Sequence, residues 1–304
     1  MPPVDLKDDT LSVHILRVGD ADSIIVELPK QGGERGHIMV DAYLQNKTLQ
    51  YVKDLGVKTF RLVVATHPHE DHIRAIAHVL KNFGGEVEMF WDSGFRHTSD
   101  YWDNLIKYIL DERQDTIFMR PTSGLSTTID GVEVTVLAPS IYLRNRYDTY
   151  GVDINNSSIV LKLSYAGKNV ILAADAQFES WGKITEEFPH FQKTDNPLQH
   201  IQVDSNFYPL DCHFIKVAHH GSKHGTILEA IEKLKPNVAA ISCGDPSQYD
   251  FPDELATLAL EDVNTNIFFT SKGSIIFKIE SDGDCTPHQY EDARHENPGP
   301  PHRI

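Results

Sequence analysis

Three histidines and one aspartate fall within six positions of the segment Thr-His-Pro-His-Glu-Asp-His: His67, His69, Asp71 and His72. Imidazole nitrogens and carboxylate oxygens are common protein ligands of zinc and other divalent transition metals. The segment follows an apolar run and precedes apolar residues at helical spacing. We therefore predict a metal site on a strand-to-helix loop, at the open edge of a sheet.

The elements that would position this loop are short strands and amphipathic helices. Runs rich in β-branched residues predict strands, and a turn at 164–169 between two apolar runs is typical of a hairpin. Helical spacing follows His72 and recurs at 101–110, 226–234 and 252–260. We expect sheets that carry helices on their outer faces. The predicted strands are 13–16, 24–26, 37–40, 60–65, 132–136, 159–161, 170–172 and 214–217.

The 304 residues are 40% hydrophobic and 24% charged, which is typical of a globular protein with a large core. We expect one domain over residues 1–280 and a polar, flexible tail over 281–304. Proline-punctuated polar sequence at 178–211 favours a long surface excursion.

Several features favour a cytoplasmic protein without a membrane partner. No apolar run reaches the length of about 18 residues that a membrane helix requires, and the first twenty residues lack signal-peptide features. The three cysteines are widely spaced, so we interpret them as free thiols. The net charge of -16 repels polyanions and disfavours loose binding to duplex nucleic acid.

The pattern His67-x-His69-x-Asp71-His72 resembles the signature of the metallo-β-lactamase superfamily. Asp41 and Asp175, each after an apolar run, and the later His-His-Gly-Ser run resemble further motifs in the family's order. The runs Val-Gly-Asp-Ala-Asp-Ser at 18–23 and Asn-Asn-Ser-Ser at 155–158 are similar to the branch that includes the hydrolase domain of ComEC. The resemblance spans roughly residues 11–277. It implies an α+β fold, a four-layer αβ/βα metallo-β-lactamase-like sandwich, and a free-standing hydrolase.

The resemblance also implies a dinuclear metal site. His67 and His69 would hold the first ion, Asp175 would bridge both ions, and the second ion would be held by Asp71, His72 and His220. Imidazole and carboxylate without thiolate favour two Zn²⁺ ions, although Mn²⁺ or Fe²⁺ would also fit. The family places Asp41 beside an imidazole, which it would orient by hydrogen bonding.

One family ligand is missing, because the histidine of the third motif has no counterpart in this sequence. Its neighbourhood reads Asp-Ile-Asn-Asn-Ser-Ser. Asp153, Asn155, Asn156 or a water molecule would have to fill the position, and each is a poorer or differently charged donor than imidazole.

We predict a metal-dependent hydrolase that uses a metal-bridging hydroxide on a phosphodiester, either a small molecule or a nucleic acid. Asp71, His219 and His224 are the candidate catalytic residues, the two histidines as proton donors to the leaving group. One alternative is hydrolysis of a carboxylic ester, thioester or lactone. Another is a non-catalytic, metal-stabilised sensor or interaction module. The sequence leaves the oligomeric state open.

Overall fold

The computed structural model describes residues 6–95, 97–144, 153–188 and 212–290. Within these residues, sixteen strands form two mixed sheets of nine and seven strands. The strands are β1 (Leu11–Ile15), β2 (Ile24–Glu27), β3 (His37–Val40), β4 (Thr59–Ala65), β5 (Glu86–Val87), β6 (Met89–Asp92), β7 (Ile117–Met119), β8 (Ser126–Ile129), β9 (Val132–Ala138), β10 (Val160–Tyr165), β11 (Lys168–Leu172), β12 (Phe214–Lys216), β13 (Val238–Ile241), β14 (Asn266–Phe269), β15 (Ser274–Ile279) and β16 (Cys285–Tyr290).

The helices of the described residues lie between these strands. They are α1 (Gln45–Asp54), α2 (Glu70–Ile73), α3 (Ile76–Asn82), α4 (Asp100–Glu112), α5 (Ile141–Arg144), α6 (Phe178–Glu187), α7 (Leu228–Leu234) and α8 (Glu254–Asp262). Short 3₁₀ turns occur at Ile154–Ser157, Ala218–Gly221 and Thr270–Lys272. None of these helices is long and apolar enough to cross a bilayer.

Both sheets combine antiparallel and parallel pairing. The first sheet runs β16-β15-β1-β2-β3-β4-β6-β7, with β5 also paired to β4, and the second runs β14-β13-β12-β11-β10-β9-β8. Strands β3, β4, β6 and β7 are parallel neighbours, as are β11, β12, β13 and β14. Parallel neighbours end at the same edge of a sheet, so the loops after β3 and β4 start side by side, as do those after β11 and β12.

The central strands are buried on both faces, which gives the four layers. In β4, Leu62 and Val64 join the core between the sheets, while Val63 faces the helices of the first sheet. In β11, Leu172 faces the central core and Ile171 faces the helices of the second sheet. A strand that is buried on both faces favours a continuous apolar sequence over one in which apolar and polar residues alternate. The predicted α+β four-layer sandwich is confirmed.

The structure corrects three sequence expectations. The region at 178–211 begins with helix α6, because Trp181 and Ile184 bury one face against the second sheet, whereas 189–211 lie outside the described residues. Residues 285–290 of the expected flexible tail form edge strand β16 against β15, and 291–304 lie outside the description. Pro252 precedes helix α8 rather than starting it, because Asp253 is the N-cap and accepts from the Leu255 amide.

Candidate metal centre

The candidate residues meet where parallel strands of the two sheets end. His67, His69, Asp71 and His72 follow β4, whereas Asp175 follows β11 and the pair His219 and His220 follows β12. The loop after β4 is anchored to the first sheet, since the Ala42 amide donates to the His72 carbonyl at 2.7 Å. The structure therefore brings together residues that are more than a hundred positions apart in sequence.

The buried carboxylate of Asp175 lies at the middle of this cluster. Its Oδ1 is 3.2 Å from His72 Nε2 and 3.5 Å from His220 Nε2. Its Oδ2 is 3.8 Å from His67 Nε2 and 3.7 Å from His219 Nε2. The two oxygens thus face two separate sets of imidazoles.

Three groups of donor atoms in the described residues are compact enough to surround a cation: one comprises Asp22, Asp41 and His72, and the other two share Asp175 and form the candidate site. In what we call the first pocket, donors from His67, His69 and Asp175 all lie within 4.8 Å of one another. The second pocket comprises Asp71, His72, Asp175 and His220 and meets the same limit. Asp175 belongs to both pockets, as a bridging carboxylate would.

Several of these buried donor atoms have no hydrogen bond: His72 Nε2, His220 Nε2 and Asp175 Oδ1. A buried polar atom without a partner costs about 1–3 kcal/mol, and here three such atoms face one another. Two imidazole nitrogens and a carboxylate oxygen are the donors that zinc and similar cations prefer. The residues of this cluster therefore fit divalent cations.

Burial keeps most of the imidazoles neutral. It lowers the pKa of His69 and of His220 to about 4, and it holds the pKa of His67 well below its usual range. A neutral imidazole retains the lone pair that a metal requires. These three side chains are thus in the protonation state of ligands at neutral pH.

His72 and Asp175 differ because they face opposite charges. Burial would lower the pKa of His72, but the carboxylates of Asp175 and Asp41 outweigh it and raise that pKa well above its ordinary value. Burial would likewise raise the pKa of Asp175, yet His72, His219 and His220 hold it well below its usual range. The carboxylates of the cluster therefore create a negative electrostatic potential that attracts a proton or a metal cation.

Hydrogen bonds behind the cluster fix the rings of its histidines. Asp41 Oδ2 accepts from the Thr66 hydroxyl at 2.6 Å and lies 2.7 Å from His72 Nδ1, so His72 turns its Nε2 towards Asp175. His220 Nδ1 lies 3.0 Å from the Ser242 carbonyl, which likewise directs Nε2 inward. Such partners select the tautomer and orientation of a metal-binding histidine.

A buried ion pair beneath the second pocket was not predicted from the sequence. Lys216, on β12, contacts Asp22 directly, and both side chains are almost fully buried. Asp22 also lies 3.9 Å from His72 Nδ1 and 4.0 Å from His220 Nδ1. Burial opposes ionisation of Asp22, but the Lys216 ammonium lowers its pKa below the usual value. The one sequence signal is a lysine within an otherwise apolar strand.

The neighbouring Asp20 ties the two sheets together above the site. Its carboxylate accepts from the Gly244 amide and the Gln248 amide, both at 2.7 Å, and from the Ser247 hydroxyl at 3.0 Å. The loop at 244–251 that Asp20 holds ends at Phe251. The Phe251 ring packs against two imidazoles, with centroid distances of 5.7 Å to His219 and 6.2 Å to His220.

The residues at the third motif make hydrogen bonds around the candidate site. The side-chain oxygen of Asn156 accepts from the backbone of helix α6, at Gln177 and Ser180, so this oxygen is engaged away from the pockets. Asp153 accepts from the Asn155 amide at 2.9 Å. Ser158 Oγ lies 3.4 Å from His67 Nδ1 and accepts from the Asp175 amide at 3.2 Å.

The two histidines predicted as proton donors occupy different positions. His219 is buried in the cluster beside Asp175, and burial lowers its pKa. His224 is exposed on the next loop, where its backbone amide donates to Ser222 Oγ at 3.2 Å.

A family comparison agrees with this geometry, because the model of the metallo-β-lactamase superfamily matches residues 16–245. The chain belongs to the metallo-β-lactamase superfamily. The resemblance to the ComEC-like branch is confirmed by similarity to ComE operon protein 3 of Bacillus subtilis strain 168, at 24% identity over 284 residues. That match covers 87% of this chain and 32% of the relative, so the chain spans about a third of the relative's length.

Solved structures support the fold. The metallo-β-lactamase fold protein YhfI from Bacillus subtilis aligns with a TM-score of 0.51 and 11% identity, covering 92% of this chain and 100% of YhfI. A mutant of the CmlA β-hydroxylase aligns with a TM-score of 0.50 and 11% identity, covering 91% of this chain and 54% of CmlA. Likeness at this level of identity shows the fold alone, so the substrate must be argued from the site.

Proposed function

We propose that this chain is a hydrolase of phosphodiesters that depends on two divalent cations, with zinc as the favoured metal and Mn²⁺ or Fe²⁺ as alternatives. The observation that carries the proposal is the Asp175 carboxylate, whose two oxygens face separate sets of imidazoles. The superfamily is largely one of hydrolytic metalloenzymes, and the ComEC-like resemblance favours a phosphodiester among its substrate classes.

We assign His67, His69 and Asp175 to the first ion, and Asp71, His72, Asp175 and His220 to the second. When bound, such a pair of ions lowers the pKa of a water molecule and neutralises the charge of a phosphoryl transition state. Asp41 and Ser242 keep the rings of His72 and His220 in the required orientation. Lys216 keeps Asp22 paired, so that this carboxylate stays out of the second pocket.

Asp71 is the most exposed carboxylate of the second pocket, and its Oδ2 lies 3.9 Å from His220 Nε2. We place it at the substrate side, where it would both hold the ion and orient the attacking water. Of the two histidines proposed as proton donors, His224 has the access to solvent that proton exchange requires. His219 is held neutral by burial, because its pKa is lowered.

The proposal is tested with purified protein loaded with Zn²⁺ or Mn²⁺ and bis-p-nitrophenyl phosphate as substrate. We expect turnover that chelation abolishes and that metal addition restores. His288→Ala is the matched control, because His288 is an exposed histidine on edge strand β16. Full metal content without phosphodiester turnover would reject the proposal. Carboxylic ester, thioester and lactone substrates in the same assay would identify the alternative hydrolase, and metal binding without any turnover would identify a sensor or interaction module.

A further inference from the structure

The two proposed metal pockets are unequal in their donors. Besides the shared Asp175, the second pocket has Asp71, His72 and His220, whereas the first has only His67 and His69. The family's third-motif histidine would complete the first pocket, and this chain lacks it. Of the candidates at that motif, Asn156 has its side-chain oxygen engaged by helix α6 and Asp153 accepts from the Asn155 amide, whereas the buried Asn155 Oδ1 has no hydrogen bond and is the competing donor.

His219 lies next to the first pocket, outside the group of donor atoms within 4.8 Å of one another, and contacts its shared carboxylate. Its Nε2 is 3.7 Å from Asp175 Oδ2, the same oxygen that lies 3.8 Å from His67 Nε2. The neighbouring His220 instead approaches Asp175 Oδ1, at 3.5 Å. The two consecutive histidines thus approach different oxygens of the same carboxylate.

An unusual backbone conformation produces this arrangement. His219 has φ 48° and ψ 48°, and His220 has φ 55° and ψ 23°, so both are left-handed although neither is glycine. Such a conformation is strained for a residue that carries a Cβ. A hydrogen bond from the His219 amide to the Ala174 carbonyl, at 2.8 Å, holds the turn beside Asp175. Strain of this kind persists where the surrounding structure enforces it, and it concentrates at functional sites.

The side chain of His219 is packed from two sides. A Cβ placed on Gly225 would approach His219 Cβ to 2.8 Å, so only glycine fits there without displacing the histidine. The Gly225 carbonyl is itself fixed by the Trp181 indole N–H at 2.7 Å. On the other side, the Phe251 ring lies against the imidazole at a centroid distance of 5.7 Å. The ring is therefore held in place without a metal.

The second nitrogen of His219 also has a suitable partner. Gln177 Nε2 lies 3.3 Å from His219 Nδ1, so the amide as placed would donate to this nitrogen. A 180° rotation of the amide exchanges its nitrogen and oxygen; the oxygen would then accept from Nδ1–H and leave the lone pair of Nε2 facing Asp175. This is the arrangement that orients histidines bound to metals.

We infer that His219 replaces the absent third-motif histidine and donates Nε2 to the ion of the first pocket. The inference rests on the proposed binding of two cations. It reassigns His219 from proton donor to metal ligand, and the first pocket then consists of His67, His69, Asp175 and His219.

The test is a metal titration of the full chain with Zn²⁺ and a competing chelator, together with the number of ions per chain measured by mass spectrometry. The variants are His219→Ala, His69→Ala and the double variant, with His288→Ala as the control. Wild type and the control should bind two ions tightly. His219→Ala should keep one tight ion and bind the other about 100-fold or more weakly. Removing a residue that only hydrogen-bonds to a metal ligand typically weakens metal binding by about 10- to 100-fold, so a loss of this size indicates a ligand.

The double variant identifies which ion is affected. If His69 and His219 hold the same ion, the double variant still retains the one tight ion of the second pocket. Should His219→Ala keep two tight ions, or should the double variant lose both ions while each single variant loses one, the inference is wrong. A wild-type protein that binds only one ion would also reject it.

Two further variants keep the test decisive. His219→Gln retains bulk against Gly225 and Phe251 and should weaken the same ion if His219→Ala does not fold. Gly225→Ala keeps the histidine but displaces it, and should weaken that ion by a smaller factor. Phosphodiester turnover is measured separately. Two-ion binding that depends on His219 without turnover rejects the hydrolase proposal alone, whereas turnover with unchanged affinities in His219→Ala rejects this inference alone.

Discussion

Two buried clusters of histidine and carboxylate among the described residues differ in where their polar atoms come from. One is the metal centre around Asp175. The other, which we call the cross-strand cluster, consists of His14, Glu27 and His37 on adjacent strands of the first sheet. Glu27 lies 3.1 Å from His14 Nε2 and 3.7 Å from His37 Nε2.

The residues of the cross-strand cluster contact one another and two tyrosine hydroxyls. His14 Nδ1 lies 2.6 Å from the Tyr51 hydroxyl, and that hydroxyl lies 3.1 Å from the Tyr290 hydroxyl on β16. Glu27 and His37 are direct partners across β2 and β3, so neighbouring strands supply the carboxylate and the imidazole. Both ring nitrogens of His37 nevertheless have no hydrogen bond.

The metal centre draws instead on loops from both sheets, and its unpaired atoms, His72 Nε2, His220 Nε2 and Asp175 Oδ1, point at one another. Neither residue types nor unpaired atoms alone separate a structural cluster from a metal site, whereas unpaired donor atoms that converge on one carboxylate do.

The largest expected effect comes from Asp175→Ala, which removes the donor shared by both pockets. We expect phosphodiester turnover to fall by about 1,000-fold or more, equivalent to about 4 kcal/mol of transition-state stabilisation. Metal content should fall in the same variant. Glu27→Gln in the cross-strand cluster should leave both measurements unchanged. Equal loss of metal in the two variants would remove the distinction between the clusters.

Lys216→Met tests the ion pair beneath the metal centre. It leaves the buried Asp22 carboxylate without its cation, which typically costs about 3–5 kcal/mol. Chemical denaturation should show this loss, while the exposed Lys107→Met should change stability by less than about 0.5 kcal/mol. Adding Asp22→Asn to Lys216→Met should recover part of the loss. A fully stable Lys216→Met protein would show that Asp22 does not need its partner.

The cross-strand cluster should make stability depend on acid. Burial would raise the pKa of Glu27, but hydrogen bonds and charge from His14 and His37 lower it to about 2, from 4.5. A depressed carboxyl pKa stabilises the fold above the unfolded value, and this contribution is lost as the pH falls from about 4.5 towards 2. The shift corresponds to about 3 kcal/mol.

Glu27→Gln removes this contribution, so the difference in unfolding free energy between wild type and variant should shrink across that pH window. The exposed Glu261→Gln provides the control, with no such convergence. A constant difference between wild type and Glu27→Gln from pH 6 to pH 2 would contradict the assignment.

The smallest effect is expected from Tyr290→Phe, which removes one hydroxyl from the outer end of the cross-strand cluster. Loss of a single hydrogen bond costs about 0.5–1.5 kcal/mol. Thermal unfolding should register that change, with metal affinity as in wild type. Altered metal affinity would indicate that the two clusters are coupled.

The parts of the molecule that sequence predicted well are those with a local signal. The run from His67 to His72 places its candidate ligands within six positions, from the end of β4 into α2, so their proximity follows from the sequence alone. The apolar runs that became β4, β11 and β12 have a composition typical of strands. Asp175 became a candidate only through its place in a family order, because an aspartate after a strand is otherwise typical of a turn.

What the sequence did not predict depends on contacts between distant residues. Lys216 and Asp22 are 194 positions apart, and although Lys216 stands in an apolar strand, nothing near it in sequence identifies Asp22 as its partner. Strand β16 was missed because it is a half-exposed edge strand that contains Pro287 and His288. The opposite aim of His219 and His220 follows from left-handed backbone angles, which no residue type at these positions predicts.

The attachment of Asp20 to the loop at 244–251 has a consequence for how the molecule opens. Asp20 belongs to the connection between β1 and β2, and the loop follows β13 in the other sheet. These hydrogen bonds join the two sheets beside the candidate metal centre. A fluctuation that broke these hydrogen bonds would let Phe251 move away from both His219 and His220. Hydrogen exchange at the Gly244 and Gln248 amides therefore measures how often the pocket opens.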